Sequence, residues 1–151
     1  MLMRNILLVR KKMSVATSTF RWTESYRVNI AVLDRQHQQL FDTVNELDQA
    51  LHTGEGKSVV EAVLDKLVDY AAVHFAAEEL LMQQYDYPGL STHRTQHELF
   101  RQKVATYLED QKADKPGVPV SLLFFMQNWV KQHLLTTDRQ YSAFLKARGV
   151  R

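Results

Sequence analysis

The sequence predicts an all-α fold: an antiparallel up-down-up-down four-helix bundle with an extended N-terminal lead-in. Three observations predict it. Four long segments carry apolar residues at the 3.6-residue spacing of one helix face. Short turns containing Gly or Pro separate them, which sets neighbouring helices antiparallel. No stretch of useful length alternates apolar and polar residues as a half-buried strand would. At 151 residues the chain fits one domain with a proper core. Residues 1–18 are expected as a flexible N-terminal segment and 19–151 as the bundle domain.

Taken in order, residues 14–31, SVATSTFRWTESYRVNIA, form the lead-in, with Trp22 expected to cover one side of the bundle. The first helix is expected from about Val32 to Thr53, with Leu33, His37, Leu40, Phe41, Val44, Leu47 and Leu51 on one stripe. Gly54 and Gly56 stop it. The second runs from about Ser58 to Tyr85. Ser58 and Glu61 have the spacing of a capping box, and Pro88-Gly89 follows its end. The third runs from about Ser91 to Ala113, capped by Ser91 or Thr92 and closed before Lys115-Pro116-Gly117. The fourth starts near Pro119, where the missing N–H costs little, and reaches about Arg148. The charged run YLEDQKADK, 107–115, is a solvated helix end.

Composition excludes several classes. The chain has no cysteine, which removes disulfides, thiolate metal sites, iron–sulfur clusters and cysteine nucleophiles. That fits a reducing compartment, and a cytoplasmic location is expected. The net charge of +2 comes from an acid-free prefix that holds Arg4, Arg10, Lys11 and Lys12; the body shows no nucleic-acid footprint. The apolar run Ile6 to Val9 is shorter than the roughly 7–15 residues of a secretory core. No run approaches the roughly 18 apolar residues of a membrane span.

The histidines carry the chemistry. Of six, five fall on or beside an apolar stripe: His37, His74, His93, His97 and His133. Only His52, at a helix end, reads as a solvent residue. His74 and Glu78 are spaced i, i+4, as are His93 and His97, so each pair shares a helix face. Asp138 lies five after His133, about 140° around an α-helix, and needs a side chain that reaches sideways. Five imidazoles and two carboxylates buried without partners would cost many kcal/mol; a metal centre satisfies them together. The donors are nitrogen and oxygen only, which suits iron, manganese, copper or zinc. Seven donors exceed the four of a tetrahedral zinc. They suit two ions bridged by the carboxylates. Three histidines complete one ion and two leave the other an open position. No histidine follows a glutamate by three, unlike the carboxylate-rich di-iron bundles. A histidine-rich set stabilises high oxidation states less, and so suits reversible dioxygen binding more than oxygen cleavage.

The segments DRQH (34–37), HFAAEE (74–79), HRTQHELF (93–100) and WVKQHLLTTDRQY (129–141) resemble the hemerythrins, most closely the single-domain bacterial ones. The likeness spans about residues 20–145. It implies a non-haem centre of two iron ions (Fe2+/Fe3+) with an oxo or hydroxo bridge. His93, His97 and His133 would hold one iron, His37 and His74 the other, and Glu78 and Asp138 would bridge. The resemblance also implies an oxygen pocket of Phe75, Trp129, Val130 and Leu134, and matches Tyr141 to an aromatic of the family. Val130 departs from the longer aliphatic residue common there and leaves a roomier pocket. Gln36 is read first as a helix-surface residue, with a bond to an imidazole N–H as the alternative.

The expected function is reversible dioxygen binding, as a carrier, store or supplier to an oxygen-consuming client enzyme, and not an enzyme activity. The alternatives are an oxygen or redox sensor and a di-iron peroxidase or oxidase. The apolar stripes hold no spare acid for the latter. No apolar surface patch dominates, so a monomer is expected, with no nucleic acid and no membrane span.

Overall fold

The computed structural model describes residues 20–151; the segment 1–18 lies outside them. A 3-10 turn, Glu24–Tyr26, interrupts the lead-in. Helices α1 (Ala31–His52), α2 (Gly56–Gln84) and α3 (Leu90–Lys112) follow. The fourth bundle helix comes in two pieces, α4 (Val118–Gln132) and α5 (Asp138–Lys146), joined by a π turn over His133–Thr137. Among the described residues there is no strand, and no helix is long and apolar enough to cross a membrane.

All four bundle helices end the same way. One residue turns left-handed, at Gly54, Asp86, Asp114 and Gly149. The next N–H then reaches back five residues: Glu55 to Ala50 at 2.7 Å, Tyr87 to Met82 at 2.8 Å, Lys115 to Asp110 at 3.0 Å and Val150 to Leu145 at 3.2 Å. This satisfies carbonyls that the helix ends would leave open. Glycine adopts that conformation freely, whereas Asp86 at φ 53° carries a Cβ penalty. Asp86→Gly is therefore expected to stabilise the fold by about 0.5–1 kcal/mol, read as a higher urea midpoint at unchanged slope.

The helix starts differ from the sequence expectation. None has a side-chain cap. Gly56, buried, lets α2 begin two residues before Ser58; a Cβ there would lie 2.7 Å from Leu51 Cδ2 and 3.3 Å from Pro119 Cβ. Ser58 is consequently inside the first turn, where its hydroxyl donates to the Glu55 carbonyl at 2.8 Å. Helix α3 begins at Leu90, because the Leu90 N–H already closes a turn on the Tyr87 carbonyl at 3.2 Å. Ser91 and Thr92 are left without a capping role.

The lead-in is strapped onto the bundle from two sides. The buried Asp34 carboxylate accepts from the Val28 N–H at 2.8 Å and the Asn29 N–H at 3.1 Å. Ser142 donates to the Val28 carbonyl at 2.7 Å, and Arg139 to the Ser25 carbonyl at 2.6 Å. Trp22 packs edge-on to Phe41 at 5.4 Å, covering that flank as expected. The interior holds two apolar layers. The larger runs from Leu40, Leu47 and Leu64 to Leu122 and Met126. The smaller holds Val28, Ile30, Leu33, Met82, Tyr141 and Leu145. The histidines sit between the two, on the stretch of each helix that joins them.

Candidate metal centre

Each helix supplies donors by a local rule. On α1, His37 sits one turn beyond Leu33. On α2 and α3, the i, i+4 pairs His74/Glu78 and His93/His97 point one way. On the fourth helix, the backbone does what the sequence reading assigned to a sideways side chain. The Asp138 N–H donates to the His133 carbonyl five residues back, so the turn closes after five residues rather than four. His133 and Asp138 thus come onto one face, and His133 Nε2 lies 3.0 Å from Asp138 Oδ1.

All seven side chains converge and are at least 96% buried, the most exposed being His133 at 4%. Glu78 divides them. Its Oε1 lies 3.0 Å from His74 Nε2 and 3.5 Å from His37 Nε2. Its Oε2 lies 3.0 Å from His97 Nε2 and 3.3 Å from His93 Nε2. Asp138 divides them again. Oδ2 is 3.2 Å from His37 Nε2, while Oδ1 faces His133 and, at 3.5 Å, His93. The geometry makes two donor groups that share Glu78: Glu78, His93, His97 and His133, and His37, His74, Glu78 and Asp138.

These residues fit metal ions. The Nε2 atoms of His37, His74, His97 and His133 and both Asp138 oxygens are buried without a hydrogen-bond partner, although oxygens and nitrogens lie 3.0–3.5 Å apart. Their lone pairs therefore aim not at each other but at common points. Two donors each about 2.0–2.2 Å from one ion, at a right angle, are about 3 Å apart, as observed.

The imidazoles are held for that purpose. A carboxylate or amide oxygen can only accept, so the ring nitrogen bonded to it carries the proton and leaves Nε2 as a lone pair. His74 Nδ1 donates to Gln36 Oε1 at 2.7 Å. The surface reading of Gln36 is thus corrected: it orients a histidine from α1 across to α2. His97 Nδ1 donates to Glu79 Oε1 at 2.8 Å, a role the sequence reading did not assign. Tyr141 donates to Glu78 Oε1 at 2.6 Å.

Charge follows the geometry. Burial opposes ionisation of Glu78, yet His74, His37 and His93 hold its carboxyl well below the usual range. Burial and the neighbouring Glu78 charge oppose ionisation of Asp138, but His133 and His37 hold it lowered as well. Burial depresses His37, but the Asp138 and Glu78 carboxylates outweigh it and raise its pKa to about 9. Burial wins at His74, whose pKa is lowered. A proton on His37 thus stands where a metal cation would, and a metal must displace it. Adding ferrous iron without air at pH 7.5 is expected to release protons from the centre, that of His37 among them. A pH-stat titration checks this; binding of iron with no proton release contradicts it.

The four residues expected to line an oxygen pocket lie on the side of the larger apolar layer. Phe75, Val130 and Leu134 are buried and Trp129 is half-buried. Phe75 stacks on His97 at 3.7 Å and Trp129 on His133 at 4.2 Å. An open groove of about 680 Å³ between α1 and α2 reaches Gln36, Tyr70 and His74. His52 stays outside, 65% exposed, bonded to the Asp48 carbonyl.

Comparison with known proteins agrees with this geometry. Residues 28–145 match the family described as Hemerythrin HHE cation binding domain. The chain is 32% identical to a bacteriohemerythrin of Stenotrophomonas maltophilia over 83% of its length and 81% of the relative's. It is 32% identical to the myohemerythrin of Sipunculus nudus, over 82% and 92% of the two chains. A crystal structure of wild-type hemerythrin superposes with a TM-score of 0.75 at 28% identity, covering 83% of this chain and 97% of that one. The chain belongs to the hemerythrin family, four-helix bundles that bind dioxygen at a non-haem pair of iron ions.

Proposed function

We propose that the chain binds dioxygen reversibly as a carrier, store or local supplier, and that it is not an enzyme. One observation carries this: two buried donor groups share Glu78, with three histidines on one side and two on the other. His93, His97 and His133 would hold one iron and His37 and His74 the second, with Glu78 and Asp138 available to both. The three-to-two split of the imidazoles would leave the second position one donor short, which is room for a small ligand. When bound, the iron pair supplies the electrons that dioxygen takes up on binding.

The chain's own residues do the rest. Gln36 and Glu79 fix the tautomers of His74 and His97, and Tyr141 holds Glu78 in place between the two histidine sets. Phe75, Trp129, Val130 and Leu134 line the oxygen pocket and keep water from it. Proton supply is what turns an oxygen carrier into an oxygen-consuming enzyme. Among the described residues, the buried side chains with polar atoms outside the seven are Asp34, Thr43, Ser142, Tyr107 and Tyr141; Tyr107 is bonded to Ser121 and Tyr141 to Glu78. Asp34 and Ser142 are bonded to the lead-in backbone, and Thr43 to the Gln39 carbonyl at 2.9 Å. Asp34, the one carboxylic acid among them, is engaged by the Val28 and Asn29 N–H groups. A monomer in the cytoplasm, serving an oxygen-consuming client, completes the reading.

Titration of the anaerobic ferrous protein with dissolved oxygen tests the function. One dioxygen taken up per two irons, recovered on evacuation, supports carriage. Continuous consumption with a reductant present supports an oxidase or peroxidase instead.

A further inference from the structure

Two of the ligand imidazoles are backed by different chemistry. His74 Nδ1 faces the neutral amide oxygen of Gln36 at 2.7 Å. His97 Nδ1 faces the carboxylate of Glu79 at 2.8 Å. Glu79 is mostly buried, its side chain 18% exposed, so its charge is poorly screened. Two arginines of α3 hold it from outside. Arg94 Nε donates to Glu79 Oε2 at 3.2 Å, and Arg101 Nη2 lies 3.8 Å from Oε1. Arg94 also reaches Gln83 Oε1 at 3.4 Å, and the Arg101 guanidinium lies 5.3 Å from the Phe75 ring centre.

A carboxylate accepting the outer N–H of a ligating histidine makes that imidazole a stronger donor. A stronger donor favours the more highly charged state of its metal. An amide oxygen has the same reach without the charge. Among the described residues, only one of the two histidine sets is backed by a full negative charge, and a cation sits on the far oxygen of that carboxylate.

We propose that Glu79 is a positioning residue that lowers the reduction potential of the three-histidine iron through His97, and that Arg94 partly offsets it by sharing the carboxylate. The proposal rests on the di-iron reading above. Dioxygen draws electrons from the iron pair, so the same charge strengthens oxygen binding. The line Arg94–Glu79–His97 connects a half-exposed surface cation to the metal centre.

Two variants of the full chain test it, each read by iron content, reduction potential and oxygen affinity. Glu79→Gln keeps the reach and removes the charge. It is expected to retain both irons, raise the potential and weaken oxygen binding about 10-fold. Arg94→Gln frees the carboxylate, and is expected to lower the potential and tighten binding by a smaller factor. A purely structural role would not give shifts of opposite sign. Unchanged potentials in both variants, shifts of the same sign, or loss of iron from Glu79→Gln would each overturn the proposal. Failure of the di-iron reading itself would show separately, as a wild-type chain without two irons.

Discussion

Replacing Glu78 with alanine is expected to empty both metal positions at once. No other side chain faces both histidine sets so evenly: Oε1 lies 3.0 Å from His74 and Oε2 3.0 Å from His97. Its removal takes one donor from each group and one of the two carboxylates of the centre. It also orphans the Tyr141 hydroxyl, now bonded to Oε1 at 2.6 Å, at a cost of about 1–3 kcal/mol. Iron per chain should fall from two towards none, and the fold should lose stability. Glu78→Gln separates size from charge. It fills the same space and still accepts from Tyr141, yet its amide NH2 turns a hydrogen towards an imidazole lone pair. It too is expected to lose metal. Iron analysis after reconstitution decides; two irons bound in Glu78→Gln would show that the carboxylate does not bridge.

His74→Ala is expected to abolish oxygen binding while sparing one iron. Glu78, His93, His97 and His133 remain a complete four-donor group. The other group keeps His37 and the two carboxylates but loses one of its two imidazoles. The space opened lies at the floor of the groove between α1 and α2, beside Gln36 and Tyr70, so water enters where a nitrogen donor stood. Iron content should drop to roughly one per chain, and exposure of the reduced protein to air should give no oxygenated spectrum. A normal oxygenated spectrum in this variant would remove His74 from the ligand set.

Much of the centre was legible in the chain because burying a polar group without a partner is costly. A histidine on an apolar stripe is a signal, and five of them with two carboxylates point to one site. The i, i+4 pairs His74/Glu78 and His93/His97 needed no tertiary information. The π turn was signalled only indirectly. His133 and Asp138 are five apart, a misfit on an α-helix, and the misfit was assigned to the side chain rather than to the backbone. Gln36, open to either role in the sequence, and Glu79, without a signal there, are obscure for another reason. Each meets a histidine on a different helix, 38 and 18 residues away, so no local spacing reveals the bond. The helix ends show the same limit. Gly54 and Gly149 announce a left-handed cap, but Asp86 and Asp114 adopt it as well. The helix starts at Gly56 and Leu90 were set by packing and by the preceding turn, not by the Ser58, Ser91 or Thr92 hydroxyls.

These seven side chains are proposed to hold two irons that bind dioxygen and release it. The most direct test is one visible spectrum followed through a cycle. The iron-loaded protein is reduced without air, exposed to oxygen and degassed. It is predicted to be colourless when reduced, to gain a visible band in air, and to lose that band on degassing, repeatedly. A single, irreversible passage to a stable ferric spectrum would contradict it.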